Sequence, residues 1–183
     1  MKVYVVRHGQ TDWNLEGKMQ GKTDIELNQE GIEQAKIISE KINEYNIDLI
    51  VSSPLKRASK TAEIINEKLK CDIILNKGLE ERCFGIFEGK VRKDIQDEII
   101  NSHVIDNYYI NKDYGEVEPI QELCGRVWGL LDELKNDYND KNILLVTHSG
   151  TSRAINAYFE GINNDGMIKK VEIDNCGIKE YEV

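Results

Sequence analysis

The sequence predicts an α/β fold: a three-layer sandwich with a mostly parallel central sheet, helices on both faces and an antiparallel closing strand. Two observations carry this. Short apolar, β-branched runs at 3–6, 48–52, 71–75 and 143–146 have the length and composition of buried strands. Between most of them lie longer stretches whose apolar residues recur every three or four positions, as on a helix with one buried face. Size adds a third constraint. A chain of 183 residues supports one good core, so 1–183 reads as a single domain.

The elements follow in order. Val3, Tyr4, Val5 and Val6 form the first strand, and Arg7-His8-Gly9 ends it on a turn that glycine permits. A polar loop spans 9–28. Asn28 is expected to cap a helix that buries Ile32, Ala35, Ile38, Ile42 and Tyr45. After the second strand, Ser53 is the expected N-cap and Pro54 the first residue of the next helix, which buries Leu55, Ala58, Ala62, Ile65 and Leu69. Pro119 opens a helix with Leu123, Val127, Leu130, Leu131 and Leu134 inward. A helix from about 151 to 159 follows the fourth strand. The stretches 171–174 and 178–182 read as a closing hairpin around Asn175-Cys176-Gly177. The least regular segment, about 89–118, reads as a small insertion over the active-site edge and carries His103, Tyr108, Tyr109 and Tyr114. Trp13 and Trp128 read as packing residues.

Composition narrows the function. Hydrophobic content of 40% and charged content of 31% are those of an ordinary globular protein. A net charge of −9 argues against nucleic acid as a partner. No run approaches the roughly 18 apolar residues of a membrane span, and no leader-like segment opens the chain. The four cysteines are scattered without a CxxC pair, which favours a reducing compartment and disfavours a zinc site. The cytoplasm is the expected location. Gly17 to Thr23 is one residue short of a P-loop and lacks the preceding strand, so nucleoside triphosphate binding is not expected.

The chemistry gathers where strands end, the edge at which open α/β sheets bind ligands. Arg7 and His8 follow the first strand, Arg57 opens the helix after the second, Glu81 lies beyond the third and His148 follows the fourth. Arginine forks match phosphate or carboxylate oxygens in pairs. A histidine suggests proton transfer, metal binding or nucleophilic attack. Two arginines, two histidines and a carboxylate on one edge suit phosphoryl transfer, which asks mainly for positioning and charge stabilisation.

The motifs resemble those of the histidine phosphatase superfamily, whose fold is phosphoglycerate mutase-like. They are Val5-Val6-Arg7-His8-Gly9-Gln10-Thr11-Asp12-Trp13-Asn14, the loop 17–28, Ser52-Ser53-Pro54-Leu55-Lys56-Arg57-Ala58, Leu79-Glu80-Glu81 with Phe84-Gly85, and Val146-Thr147-His148-Ser149-Gly150. They span nearly the whole chain in the family's order. The resemblance implies that His8 attacks phosphorus and becomes phosphohistidine. It implies that Arg7, Arg57 and His148 clamp the phosphoryl oxygens with help from Asn14, and that Glu81 passes protons to and from the ester oxygen and water. Gln20, Gly21 and Ser149 are expected at the substrate. One His8 nitrogen must then be free and the other tied to a backbone acceptor. The start of the helix after Ser149-Gly150 could add N–H groups to the clamp. Where the family often has Gly-Glu-Ser, this chain has Val117-Glu118-Pro119.

The resulting expectation is a phosphatase acting on a small phosphorylated metabolite, with no cofactor, metal, nucleic acid or membrane partner and with a homodimer possible. The alternatives are mutase-type phosphoryl transfer, an α-ribazole phosphatase of cobalamin synthesis, and a non-catalytic binding protein on this fold. Specificity is expected from Tyr108, Tyr109 and Tyr114, whose rings suit a ring-bearing leaving group.

Overall fold

A computed structural model describes residues 1–95, 107–110 and 115–182. Its strands are β1 (Lys2–Arg7), β2 (Leu49–Ser52), β3 (Asp72–Leu75), β4 (Ile143–Thr147) and β5 (Ile178–Glu182). Its α-helices among the described residues are α1 (Asp12–Leu15), α2 (Gln29–Lys41), α3 (Lys56–Leu69), α4 (Ile120–Asp137) and α5 (Ser149–Glu160). The sheet order is β3-β2-β4-β1-β5, parallel except for the β1–β5 pair.

Side chains of the central strands alternate between two cores. Val3, Val5, Leu49, Val51, Ile143 and Leu145 pack against α4 and α5. Tyr4, Val6, Ile50, Leu144 and Val146 pack against α2 and α3. Burial on both faces explains why these strands read as continuous apolar runs. Each fully buried Val, Ile or Leu contributes roughly 1.5–3 kcal/mol, which outweighs the weak propensity of four- and five-residue strands.

Local signals set most boundaries. The Asn28 side chain accepts the Gly31 N–H and caps α2 as expected. The first turn of α2 lies so close to the 9–10 segment that a Cβ on Gly9 would sit 2.4 Å from the Gly31 carbonyl oxygen. Two glycines are therefore needed where β1 hands over to the loop.

Three expectations need correction. The third helix starts at Lys56 with Leu55 as an N-cap that makes no side-chain cap bond; the Ser53 hydroxyl accepts the Leu55 N–H at 3.3 Å and lies 2.8 Å from His148 Nε2, and Asp24 takes the Lys56 N–H at 2.7 Å. The stretch 171–174 forms no strand; it crosses the end of β1, where the Ile173 carbonyl receives Arg7, and only 178–182 pairs with β1. The loop 9–28 contains α1, started by a capping box between Thr11 and Asn14.

Candidate active site

Register brings the two histidines together. Arg7 is paired with Thr147 at the ends of β1 and β4, so His8 and His148 emerge side by side. The His8 N–H donates to the Thr147 carbonyl at 2.9 Å, and the ring centroids are 5.1 Å apart. His8 Nδ1 lies 2.7 Å from the Gly9 carbonyl oxygen. A carbonyl can only accept, so Nδ1 carries the proton and Nε2 keeps its lone pair. Burial, reinforced by Arg57 and Arg7 and opposed by the Gly9 bond, holds the His8 pKa well below its ordinary value. The ring is neutral at physiological pH.

Arg57 is fully buried. Its Nε donates to His148 Nδ1 at 3.1 Å, its Nη1 to the Thr23 carbonyl at 2.9 Å and its Nη2 to the Gly21 carbonyl at 2.7 Å. A guanidinium has five N–H groups, so one on each Nη remains for a ligand. Because Arg57 donates to Nδ1, His148 carries its proton on Nε2 and donates it to Ser53 Oγ at 2.8 Å. Burial, then the charge of Arg57, keeps His148 neutral. The expected P-loop look-alike thus serves as a carbonyl cradle for Arg57. Glu88 holds that cradle by accepting the Lys22 and Thr23 N–H groups at 3.0 and 2.9 Å.

Glu81 is buried. Its carboxylate accepts the N–H groups of Arg82, Gly150 and Thr151 at 2.9, 3.0 and 3.1 Å. A Cβ on Gly150 would sit 2.5 Å from Glu81 Oε1, so glycine is what lets the carboxylate reach the start of α5. By position in the sequence these N–H groups could join the phosphate clamp. They bind Glu81 instead, because a helix N-terminus attracts whichever carboxylate is near.

The cavity between these elements measures about 290 Å³. Of the sequence-predicted residues, Arg7, His8, Asn14, Gln20, Gly21, Arg57, Glu81 and Ser149 line it, whereas His148 does not and instead backs Arg57. Asn14 Oδ1 accepts from Thr11, which leaves its amide N–H groups for a ligand. Arg7 Nε and Gln20 Oε1 are buried without a hydrogen-bond partner among the described residues. Arg7 Nη1 reaches the Ile173 carbonyl at 3.1 Å.

The mouth differs from expectation. Trp13, Lys18, Met19, Phe84, Arg92 and Arg153 line it. Trp13 therefore borders the cavity rather than only packing. Tyr108 stacks on Trp128 with centroids 5.4 Å apart and joins the core, and Tyr109 is exposed, so neither lines the cavity. The Tyr108 ring is better buried against Trp128 and the α4 side of the sheet than held over a polar pocket. Tyr114 and His103 lie outside the described residues. No helix among the described residues is long and apolar enough to cross a membrane.

A neutral imidazole with a free Nε2, flanked by two guanidinium groups and a carboxylate at a parallel sheet edge, defines a phosphoryl-transfer enzyme. The profile of the histidine phosphatase superfamily (branch 1) matches residues 3–183, and the chain belongs to that superfamily. It shares 40% identity over 180 residues with the uncharacterized phosphatase PhoE of Bacillus subtilis (strain 168), covering 98% of this chain and 87% of that one. It shares 31% identity with the putative phosphoserine phosphatase 2 of Hydrogenobacter thermophilus, covering 100% and 89%. It shares 35% identity with the probable phosphoglycerate mutase GpmB of Shigella boydii serotype 18, covering 100% and 85%. Among solved structures, it is similar to the mycobacterial glucosyl-3-phosphoglycerate phosphatase, with a TM-score of 0.86, 25% identity and coverage of 98% and 91%. It is also similar to the Entamoeba histolytica phosphoserine phosphatase in complex with 3-phosphoglyceric acid, with a TM-score of 0.81, 29% identity and coverage of 98% and 89%. The protein is an enzyme that hydrolyses phosphate esters.

Proposed function

We propose that the protein hydrolyses a small phosphate monoester through phosphohistidine at His8, without a metal, and that its leaving group carries an anionic group such as a carboxylate. The observation that carries this is His8 itself, neutral, with Nε2 unprotonated, between Arg7 and Arg57. Nε2 forms a bond to phosphorus as the ester P–O bond breaks. Arg7 and the two remaining Arg57 N–H groups take the equatorial oxygens. Arginine keeps its proton even when burial lowers its pKa, as it does for both. Glu81, when protonated, gives its proton to the leaving oxygen. Water then attacks phosphorus, Glu81 takes a proton from it, the N–P bond breaks and the lone pair returns to Nε2. The fixed cations supply the charge stabilisation that a metal would otherwise bring. Among the described residues no group of three or more His, Cys, Asp or Glu side chains could hold a metal ion.

The anionic leaving group is supported by the cavity's charge. Among the described residues six cations line it, Arg7, Lys18, Arg57, Arg82, Arg92 and Arg153, against one acid, Glu81, in a chain of net charge −9. Arg7 and Arg57 clamp phosphate and Arg82 is buried against the Glu118 carbonyl, so the cations nearer solvent are Lys18, which pairs with Glu16, Arg92 and Arg153. Phosphoserine, 3-phosphoglyceric acid and glucosyl-3-phosphoglycerate, named for the relatives, are carboxylate-bearing phosphates. Acid-stable quenching does not preserve a phosphoramidate, so labelled enzyme is trapped under alkaline conditions after mixing with labelled phosphoserine. We expect label on the wild type and none, with no turnover, for a folded His8→Ala. Label elsewhere, or activity lost to EDTA and restored by Mg²⁺ or Zn²⁺, would overturn the reading.

A further inference from the structure

Glu81 sits on a stretch of chain, 78–83, with no regular secondary structure after Leu79, yet its main chain is tied down residue by residue. One side chain makes most of the ties. Arg126, on α4, donates from Nη1 to the carbonyls of Gly78 and Glu80, each at 2.8 Å, and from Nη2 to the carbonyl of Glu81 at 3.2 Å. The same guanidinium grips Glu118 in a two-point pair, Nε to Oε1 at 2.6 Å and Nη2 to Oε2 at 3.0 Å. Glu118 completes the frame. Its Oε2 accepts the Cys83 N–H at 3.1 Å, its N–H donates to the Cys83 carbonyl at 2.9 Å, and its carbonyl accepts Arg82 Nε at 2.7 Å. Apart from a longer Arg126 Nη1 contact to the Lys77 carbonyl at 3.5 Å, these contacts land on the stretch flanking Glu81, and neither Glu118 nor Arg126 lines the cavity.

We infer that Glu118 and Arg126 are positioning residues for Glu81: a carboxylate–guanidinium strut between α4 and the chain just before it that fixes the acid-bearing stretch so that the Glu81 carboxylate meets both the start of α5 and the ester oxygen. The strut is rigid for physical reasons. The Glu118 side chain is only 9% exposed, and the fork–fork geometry allows one orientation. Burial works to raise the Glu118 carboxyl, but the Arg126 pair and the Cys83 N–H hold it below the ordinary range, so the charge persists. Lysine could neutralise Glu118, but a single ammonium cannot serve three carbonyls and two carboxylate oxygens at once. A strut that served only stability would touch the fold at large. This one spans the acid, from residue 77 to residue 83.

The inference rests on Glu81 being the acid–base group, and the test separates the two ideas. Single-turnover phosphorylation is measured with an aryl ester, p-nitrophenyl phosphate, and with alkyl esters, phosphoserine and glycerol phosphate. Glu81→Gln should slow the alkyl esters by about 10²–10⁴-fold and spare the aryl ester, whose leaving group needs no proton. Arg126→Met and Arg126→Lys should reproduce that selectivity at roughly tenfold or more. Glu118→Gln, which keeps size and most hydrogen bonds, should show it more weakly and serves where an Arg126 variant is too unstable to assay. In the Glu81→Gln background, Arg126→Met should slow the alkyl esters by less than about twofold further, because the residues act as one unit. Equal losses on aryl and alkyl esters, or a full second loss in that background, overturn the strut. Glu81→Gln losing both ester classes equally overturns the acid reading and the strut with it.

Discussion

The two ends of the cavity are built by different rules. At the inner end His8, Arg57 and Glu81 are buried and Arg7 is half-buried, and each is held by directional bonds, most fully Arg57, by His148, Thr23 and Gly21. At the mouth Arg92 is exposed, and Lys18 lies over the Trp13 ring and pairs with Glu16. The inner end recognises a fixed object, a phosphoryl group, and demands geometry. The mouth meets the variable part of the substrate and supplies charge without a rigid frame. Chemistry is therefore fixed by hydrogen-bond direction at one end, and preference by electrostatics at the other.

The largest effect should come from replacing Arg57 by lysine. If geometry rules the inner end, preserving the charge rescues little. A lysine ammonium cannot hold His148 Nδ1, two carbonyls and two phosphoryl oxygens from one point. Arg57→Lys and Arg57→Met should both lose about 10²–10³-fold in kcat, the usual cost of a missing charge-stabilising donor. Each is measured beside its thermal midpoint, to separate lost chemistry from lost folding. A lysine variant within about tenfold of wild type would break the comparison, because charge alone would then suffice at the inner end too.

The buried histidines give a second, thermodynamic effect. The folded-state pKa values of His8 and His148 are both depressed below the ordinary 6.5, chiefly by burial and then by Arg57. Below pH 6.5 the unfolded chain binds protons that the folded one refuses. Stability is therefore fully present above about pH 6.5 and is lost as pH falls from there toward the folded-state values. Each histidine should contribute a slope of about 1.4 kcal/mol per pH unit in urea titrations below pH 6.5. His148→Asn should remove about half of that slope. Replacing the exposed Arg92 should leave it unchanged. An equal slope in all three proteins would show that carboxylates, not the inner histidines, set the acid limb.

The same contrast explains what the sequence made readable. The inner end is assembled from strand ends, so the motifs around Arg7-His8, Arg57, Glu81 and His148 could be placed once the strands were located. The free Nε2 of His8 followed from the need for a nucleophile, and the Gly9 carbonyl meets it. Pairwise choices were not readable. Ser53 has the look of a helix cap, yet its hydroxyl orients His148. The start of α5 could have served phosphate or Glu81, and only proximity in space decides. Arg126 lies 45 residues from Glu81 in the chain, within a helical pattern already explained by its apolar face, so nothing local marked its contact with the Glu81 carbonyl. Tyr108 and Tyr109 were assigned to the mouth because they sat in irregular chain, but a stacking partner, Trp128, drew Tyr108 away.

The smallest effect should come from the mouth, where it is also the most diagnostic. Arg92 lines the cavity, and its backbone is pinned by an N–H bond of 2.9 Å to the Gly17 carbonyl. Its side chain is exposed, so solvent screens its pull on a substrate carboxylate. Arg92→Met should raise KM for phosphoserine by only about two- to fivefold, with kcat little changed. Arg92→Lys should restore nearly all of it, the reverse of the outcome at Arg57, because an exposed cation acts through charge rather than through its fork. The loss should shrink as salt rises toward about 0.5 M, since the Debye length then falls well below its 8 Å at physiological ionic strength. For p-nitrophenyl phosphate, which has no anionic leaving group, the same variants should be indistinguishable from wild type. A KM increase of equal size on both substrates would mean that Arg92 serves the phosphate itself. The boundary between the directional inner end and the electrostatic mouth would then have to be drawn nearer to Arg153.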